Sequence, residues 1–366
     1  MDNLIISNIR QRPIRSLVSV IGVALGVALV MLFTGLAHGM SNDLQRRSQN
    51  VRAEIMFTRP GTMDNLTSST LNLSTKYVER LQAVDGVEAA VPIGLYVFQG
   101  GAGFGFEQLE GVDWPVFSKM NNIQLEDGRA PEAADEVVID YIKAHNENRK
   151  VGDPITLLGN KPYRIVGIFS PESGSRTKMT LSAMQDLLEA PGKCTYILVK
   201  AKEGVSEQAL AERIDKELPG NKVQFTRDVF TSIESRIPFL GVFLKVLVGL
   251  AAVVSALVVM LAMYTTITER TREIGILKAM GASRGYIIGV IEKEAILISA
   301  LGLVLGFAVA MLGGLLIHRR YNLIFEYSWS WAAAAAAIGL LGGAIGALYP
   351  AVRAANLDAV SALSYE

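Results

Sequence analysis

Residues Leu17–Ala37 make a run of 21 residues without one charge, and that run constrains the chain more than any other feature. As an α-helix it would measure about 31 Å, matching a hydrocarbon core about 30 Å thick. Three further blocks rich in Ala, Leu, Ile, Val and Gly follow at 239–267, 287–317 and 331–349. Between the first and second blocks lie 200 residues of mixed sequence, 39–238. Half of all residues are apolar, 19% are charged, and the mean hydropathy is +0.32. The expected fold class is therefore membrane α-helical, with four transmembrane helices per subunit and a large α+β extracytoplasmic domain between helices 1 and 2.

Charge placement orients the chain. Arg10, Arg12 and Arg15 precede the first block, and the 268–286 connection carries Arg270, Arg272, Lys278 and Arg284. Lys and Arg are retained on the cytoplasmic side, so both termini and 268–286 are expected inside. The insert holds 23 basic and 27 acidic residues, against 12 and 8 in the remainder. Arg319 and Arg320 disagree, and headgroups or Glu326 are the expected anchors for them. The first block is longer than a signal-peptide core and lacks a small-residue cleavage site, so an uncleaved span is expected. The expected order is a cytoplasmic amphipathic segment at 1–15, spans at 16–38, 239–267, 287–317 and 331–350, an inner element at 268–286, a short outer loop at 318–330 and a cytoplasmic tail at 351–366. Such a chain belongs in a bacterial inner (cytoplasmic) membrane, among membrane lipids.

Three spans carry the small-residue spacing that lets helix backbones approach: Gly22 with Gly26, Gly302 with Gly306, and Gly339 with Gly343. Packing within one subunit and self-association both use this spacing. Trp329, Trp331 and Tyr349 bracket the fourth span as an interfacial aromatic belt would. Phe239–Ile267 is about 43 Å long as a helix, some 13 Å more than the core needs, and it contains Lys245. Beyond the first span, Phe33, Leu36, Met40, Leu44 and Val51 recur at helical spacing. Both features predict helices that protrude outward as a stalk; tilt or a kink is the alternative.

Within the insert, Arg52–Thr58 reads as a strand, Ser74–Ala83 as a helix capped by Ser74, and Val87–Phe98 as a strand. Thr195–Lys200, Ser206–Leu218 and Lys222–Thr226 repeat the strand, helix, strand pattern. Pro154–Phe169 reads as a hairpin about Gly159-Asn160. The expectation is one subdomain built from the outer segments and a second inserted at about 105–175. Gly100–Phe106 is rich in glycine but is not followed by a helix start, so it reads as a linker and not as a dinucleotide loop.

Chemistry is not evident. The balance of 35 Lys+Arg against 35 Asp+Glu excludes a strongly basic nucleic-acid binder. A single Cys194 excludes an internal disulfide, and His38, His145 and His318 are too scattered for a His-rich metal site. The chain contains no GxxxxGK[ST] or HExxH. The expectation is a non-catalytic chain without a cofactor of its own.

The inner segment is the informative one. Thr268–Ser283 reads as a short charged helix with a narrow seam of Glu273, Ile276, Leu277 and Met280, ended by Gly281, with Ser283 capping the next helix. A solvated positive-inside loop explains the arginines but not the exposed Ile and Leu. The string ERTREIGILKAMGAS resembles the inner loop of the ABC exporter permeases of the MacB, LolC/LolE and FtsX superfamily. Asn8–Arg15, Gly128-Arg129-Ala130-Pro131, Val151-Gly152-Asp153 and the terminal Tyr349–Leu363 agree with that resemblance.

The resemblance implies a dimer, with either an identical or a related second permease subunit. It also implies a coupling helix, here 269–281, that grips an ABC ATPase present in two copies per complex. Glu269, Arg270, Arg272, Glu273, Ile276, Leu277, Met280 and Gly281 are the expected coupling residues. ATP and Mg²⁺ would belong to the ATPase. MacB itself has that ATPase fused at its N-terminus, and this sequence starts only residues before its first span, so the expected ATPase is another polypeptide. Two functions fit: export by mechanotransmission of a lipid, lipoprotein, peptide or hydrophobic drug, and FtsX-like signalling to a cell-wall hydrolase. A periplasmic adaptor protein is a further partner type compatible with the exporter reading; nucleic acid is not.

Orientation is directly testable. With Cys194 changed to Ser, Asn72→Cys should react with a membrane-impermeant thiol reagent in cells whose outer membrane is permeabilised. Ala282→Cys should react only once the inner membrane is opened. The reverse pattern would overturn the charge argument.

Overall fold

The structure is a computed structural model that describes residues 13–62, 70–99, 106–158, 161–228, 238–321 and 323–357. Two compact units emerge: residues 41–236 form one, and residues 1–40 with 237–366 form the other. The Asn8–Arg12 segment, the Gly100–Gly105 linker, the Gly159-Asn160 turn and the tail from 358 onward lie outside the described residues.

Helix α1 (Pro13–Gln49) is unbroken over 37 residues, so the helix continues well beyond its charge-free run. In the insert it is followed by β1 (Ile55–Thr58), β2 (Leu73–Ser74), α2 (Tyr77–Ala83), β3 (Val87–Gln99), β4 (Phe106–Val112) and α3 (Trp114–Asn121). Next come β5 (Gln124–Gly128), β6 (Glu136–Asp140), α4 (Tyr141–Asn146), β7 (Pro154–Thr156), β8 (Pro162–Ser170), β9 (Thr177–Thr180) and α5 (Leu181–Leu187). The insert ends with β10 (Lys193–Cys194), β11 (Tyr196–Ala201), α6 (Glu207–Glu217) and β12 (Lys222–Phe225). Ser74 does not cap α2. It pairs with Lys193 in the short β2–β10 ladder, and that pairing delays the helix to Tyr77.

Ten strands form one sheet in the order β12-β1-β11-β3-β4-β9-β6-β8-β5, with β7 beside β8. Strand β3 runs for 13 residues; its Val87–Ile93 stretch pairs with β11 and its Gly94–Gln99 stretch with β4. One strand thus belongs to both halves. The halves also share a core in which Met56, Val91 and Leu198 from one side join Phe117, Val138 and Phe169 from the other. On the other sheet face Ile55, Phe57, Leu81, Leu210 and Ile214 pack together, as do Leu109, Ile139, Ile165, Met179 and Met184. Cys194 is fully buried, and burial pushes its thiol up to about 12. It is a core residue and an inert one.

Local chemistry explains two short sequences in this sheet. Gly128 has φ +78° and lies so close to the Val166 carbonyl that a side chain would strike it. Arg129 then donates from its backbone to Val166 O at 2.8 Å and pairs through its guanidinium with Glu136. Glu136 also accepts from the Glu132 and Ala133 amides at 3.0 and 3.2 Å. Arg129 and these amides hold its carboxyl down at about 2. In Val151-Gly152-Asp153, the Gly152 amide donates to Ile165 O at 2.7 Å and Asp153 accepts from the Lys150 amide at 2.8 Å. Both sequences pin turns against β8.

In the second unit, α7 (Pro238–Glu269), α8 (Thr271–Ala279), α9 (Arg284–Tyr321) and α10 (Trp329–Ala355) follow. With α1, the three long helices are apolar and long enough to cross a membrane. The fourth runs through Pro350 to Ala355, five residues past the expected end of the span. Each of the six glycines singled out for helix packing meets another helix of the same chain. A Cβ on Gly22 would strike Val258, and one on Gly26 would lie 2.5 Å from Ser255 Oγ, both on α7. Gly302 and Gly306 of α9 face Val23 and the Ala24 carbonyl of α1, at 2.7 and 2.8 Å from a notional Cβ. Gly339 faces Val27 at 3.3 Å, and Gly343 abuts Ser299. A second, overlapping pair escaped notice in the sequence: Gly342 and Gly346 of α10 lie against Ala252 and Ala256 of α7. Outward, Trp329 is 92% and Tyr349 61% exposed, as residues of an aromatic belt should be.

These contacts predict a contrast. Gly346→Val would push a branched side chain into the Ala256 backbone and should destabilise the bundle by about 1–3 kcal/mol. Gly249→Val meets nothing within 4 Å and should be close to neutral. Thermal unfolding of the detergent-solubilised chain checks this; equal losses for both variants would contradict the assigned packing.

Candidate coupling site

The turn between α7 and α9 is built by short-range rules. Glu273 lies in the first turn of α8 and Lys278 in its last, each placed favourably for the helix dipole. At the other end the Gly281 amide donates to Lys278 O at 2.9 Å and the Ala282 amide to Leu277 O at 3.0 Å. That pair of bonds is a Schellman motif, which requires a left-handed residue after the cap. Gly281 supplies it with φ +90°. Ser283 then accepts from the Tyr286 amide at 3.2 Å, capping α9. Gly281 and Ser283 therefore occupy the structural positions read from the sequence.

Three side chains fasten α8 inward. Ile274 is 8% exposed and joins the core of the helical unit. Arg270, with a largely buried side chain, lies 3.6 Å from buried Glu294 of α9 and 3.7 Å from Glu273. Lys278 donates to Ala355 O at 2.8 Å and to Leu357 O, which satisfies carbonyls left open at the end of α10. Beside it Arg353 stacks over Tyr264 of α7, 5.1 Å from the ring centroid. One nine-residue helix is thus tied to the inner ends of α9 and α10.

The outward face is different. Ile276 is 44% and Met280 72% exposed, with Arg272 and Glu273 exposed beside them. Leu277, expected in the exposed seam, is half-buried and lines a groove of about 330 Å³ with Ile267, Ile274, Tyr286 and Ile291. Arg270 and Glu294 lie in the same groove. The helical turn explains the revision: at 100° per residue, Ile274 and Leu277 follow one face and Ile276 with Met280 the next. Of the eight expected coupling residues, Arg270 is turned inward as a brace and Leu277 is partly so. Glu269 sits at the last position of α7 and Gly281 at the Schellman turn. Lys278 and Glu294 were missed; their partners lie 77 and 24 residues away in sequence, beyond any local pattern. Among the described residues no group of His, Cys, Asp and Glu could hold a metal ion.

Residues 16–217 match the family model of the MacB-like periplasmic core domain, and residues 245–359 match that of the FtsX-like permease C-terminal domain. The chain belongs to the MacB/FtsX-like family of ABC transporter permeases. An uncharacterized ABC transporter permease of Methanocaldococcus jannaschii is 26% identical, over 98% of this chain and 96% of its own length. The pyoverdine export ATP-binding/permease protein PvdT of Pseudomonas fluorescens is 26% identical over 96% of this chain and 57% of its length. The macrolide export ATP-binding/permease protein MacB of Campylobacter jejuni is 26% identical over 98% and 60%. This chain thus spans under two thirds of those two export proteins. The crystal structure of the periplasmic region of MacB from Actinobacillus actinomycetemcomitans is 17% identical, covering 52% of this chain and 98% of that one at a TM-score of 0.37. The four apolar helices and the insert between the first two are those of a membrane permease with an extracytoplasmic domain.

Proposed function

We propose that this permease exports a substrate by mechanotransmission, driven by an ABC ATPase that grips α8. The observation that carries the reading is the pairing of an exposed apolar ridge, Ile276 and Met280, with an inward brace made by Arg270, Glu294 and Lys278. A ridge on a loose loop would yield when pushed. On a braced helix, a displacement passes into α7, α9 and α10. ATP and Mg²⁺ are held by the ATPase, two copies of which face two permease subunits, and this chain supplies no cofactor.

Both termini and α8 face the cytoplasm in this reading, and the insert faces outward from the cytoplasmic membrane. Relatives named for macrolide and pyoverdine export favour transport over signalling.

The test is capture of the ATPase. Replacing Ile276 and Met280 with Glu places two charges where apolar contact is needed, and a desolvated charge without a partner costs several kcal/mol. Capture of the co-purifying P-loop ATPase by the membrane-inserted double variant should fall at least about a hundredfold, corresponding to about 3 kcal/mol. Arg272→Ala, an exposed charge at the rim, should cost less than about 1 kcal/mol. Undiminished capture by the double variant would overturn the coupling assignment.

A further inference from the structure

The insert contains a balanced cluster of buried charges that the coupling reading does not use. Asp43 and Arg47 lie on the last turns of α1 and pair at 3.1 Å. Arg176, just before β9, reaches Asp43 with one guanidinium nitrogen and Asp140, at the end of β6, with the other at 2.7 Å. Asp140 is fully buried and also accepts from the Lys143 amide at 2.7 Å, capping α4. Behind them Lys178 of β9 pairs with Glu110 of β4, both buried, and Glu110 accepts from the Tyr196 hydroxyl at 3.2 Å. Lys178 donates to the Ser173 and Ser175 carbonyls at 2.7 and 3.0 Å, over the rings of Phe117 and Phe169. Burial pushes the Asp140 carboxyl up and the Lys178 ammonium down from their ordinary values, and the opposed charges counter those shifts only in part.

The 172–176 loop held by Lys178 in turn grips α1. Arg47 donates to Gly174 O at 3.0 Å, Asn50 to Glu172 O at 2.7 Å, and Ser173 to Asn50 O at 3.2 Å. A side chain at Gly174 would collide with the Glu110 carboxylate, 2.6 Å from its notional Cβ. The placement matters because the covalent path from α1 leads elsewhere. The chain leaves α1 for β1, near the β12 edge of the sheet, whereas β4, β6 and β9 form the other half. A helix that were merely an anchor would need no second grip on strands more than a hundred residues away.

We propose that Arg176, clamped between Asp43 and Asp140, is the joint through which movement of α1 reaches the β4-β9-β6 half of the sheet. The inference rests on the coupling reading above. A planar guanidinium fork fixes two carboxylates at once, and in a low-dielectric site those bonds are strong and directional. Displacing Asp43 therefore displaces Asp140 and, through its cap, the start of α4. Arg176 is a positioning residue: it transmits geometry and touches no substrate.

Hydrogen exchange on the full permease with its co-purified ATPase, compared with and without trapping by ADP and vanadate, tests the joint. In the wild type, trapping should alter exchange both in α8 and over residues 140–146. Asp43→Asn should keep the α8 response and lose the 140–146 response, and Asp43→Glu should restore it. A purely structural pair would raise exchange in both nucleotide states without abolishing their difference. Retention of the 140–146 response in Asp43→Asn, or its absence from a wild type whose α8 responds, would overturn the joint. A wild type with no α8 response would overturn the coupling reading, and the joint with it. If Asp43→Asn does not accumulate in the membrane, Arg176→Lys, which keeps the charge without the fork, is read by the same outcomes.

Discussion

Inside a bilayer, helices gain nothing from hiding apolar surface from one another, because lipid is as apolar as they are. Close backbone approach must hold the four spans together, and the glycines make it possible. Gly302 and Gly306 admit α1 to α9, Gly22 and Gly26 admit it to α7, and Gly342 and Gly346 bring α10 against α7. Contacts this short leave little slack. The proposed coupling through a nine-residue helix at one end needs a bundle packed this closely.

At that end the chain separates two tasks by helical face. The inward face is polar where it braces, through Arg270, Glu294 and Lys278, and apolar where Ile274 enters the core. Ile276 and Met280 on the outward face stay exposed among the described residues. An isolated exposed Leu or Ile is ordinary; two on adjacent turns of a helix fastened on its other face fit the docking ridge proposed above. In the insert, β3 links both halves, pairing with β11 along Val87–Ile93 and with β4 along Gly94–Gln99.

What could be read from the sequence was what short-range rules determine. Long apolar blocks gave the spans, the Gly281 and Ser283 positions gave the two helix ends around α8, and four-residue glycine spacing gave the contact faces. Ser74 failed as a cap because a strand partner 119 residues away claimed it. The braces of α8 and the Asp43, Arg176 and Asp140 cluster were invisible for a related reason. Their members are common surface residue types, up to 133 positions apart, and only the fold brings them together.

The central claim is that the outward face of α8 bears directly on an ATPase. A photo-activatable amino acid at Met280, cross-linked in intact membranes, examines that contact without disturbing the inward brace. The account predicts a covalent adduct to a P-loop ATPase, with far less from the same probe at half-buried Val290 in the groove behind α8. An adduct only to lipid, or to a chain without a nucleotide-binding loop, would contradict it.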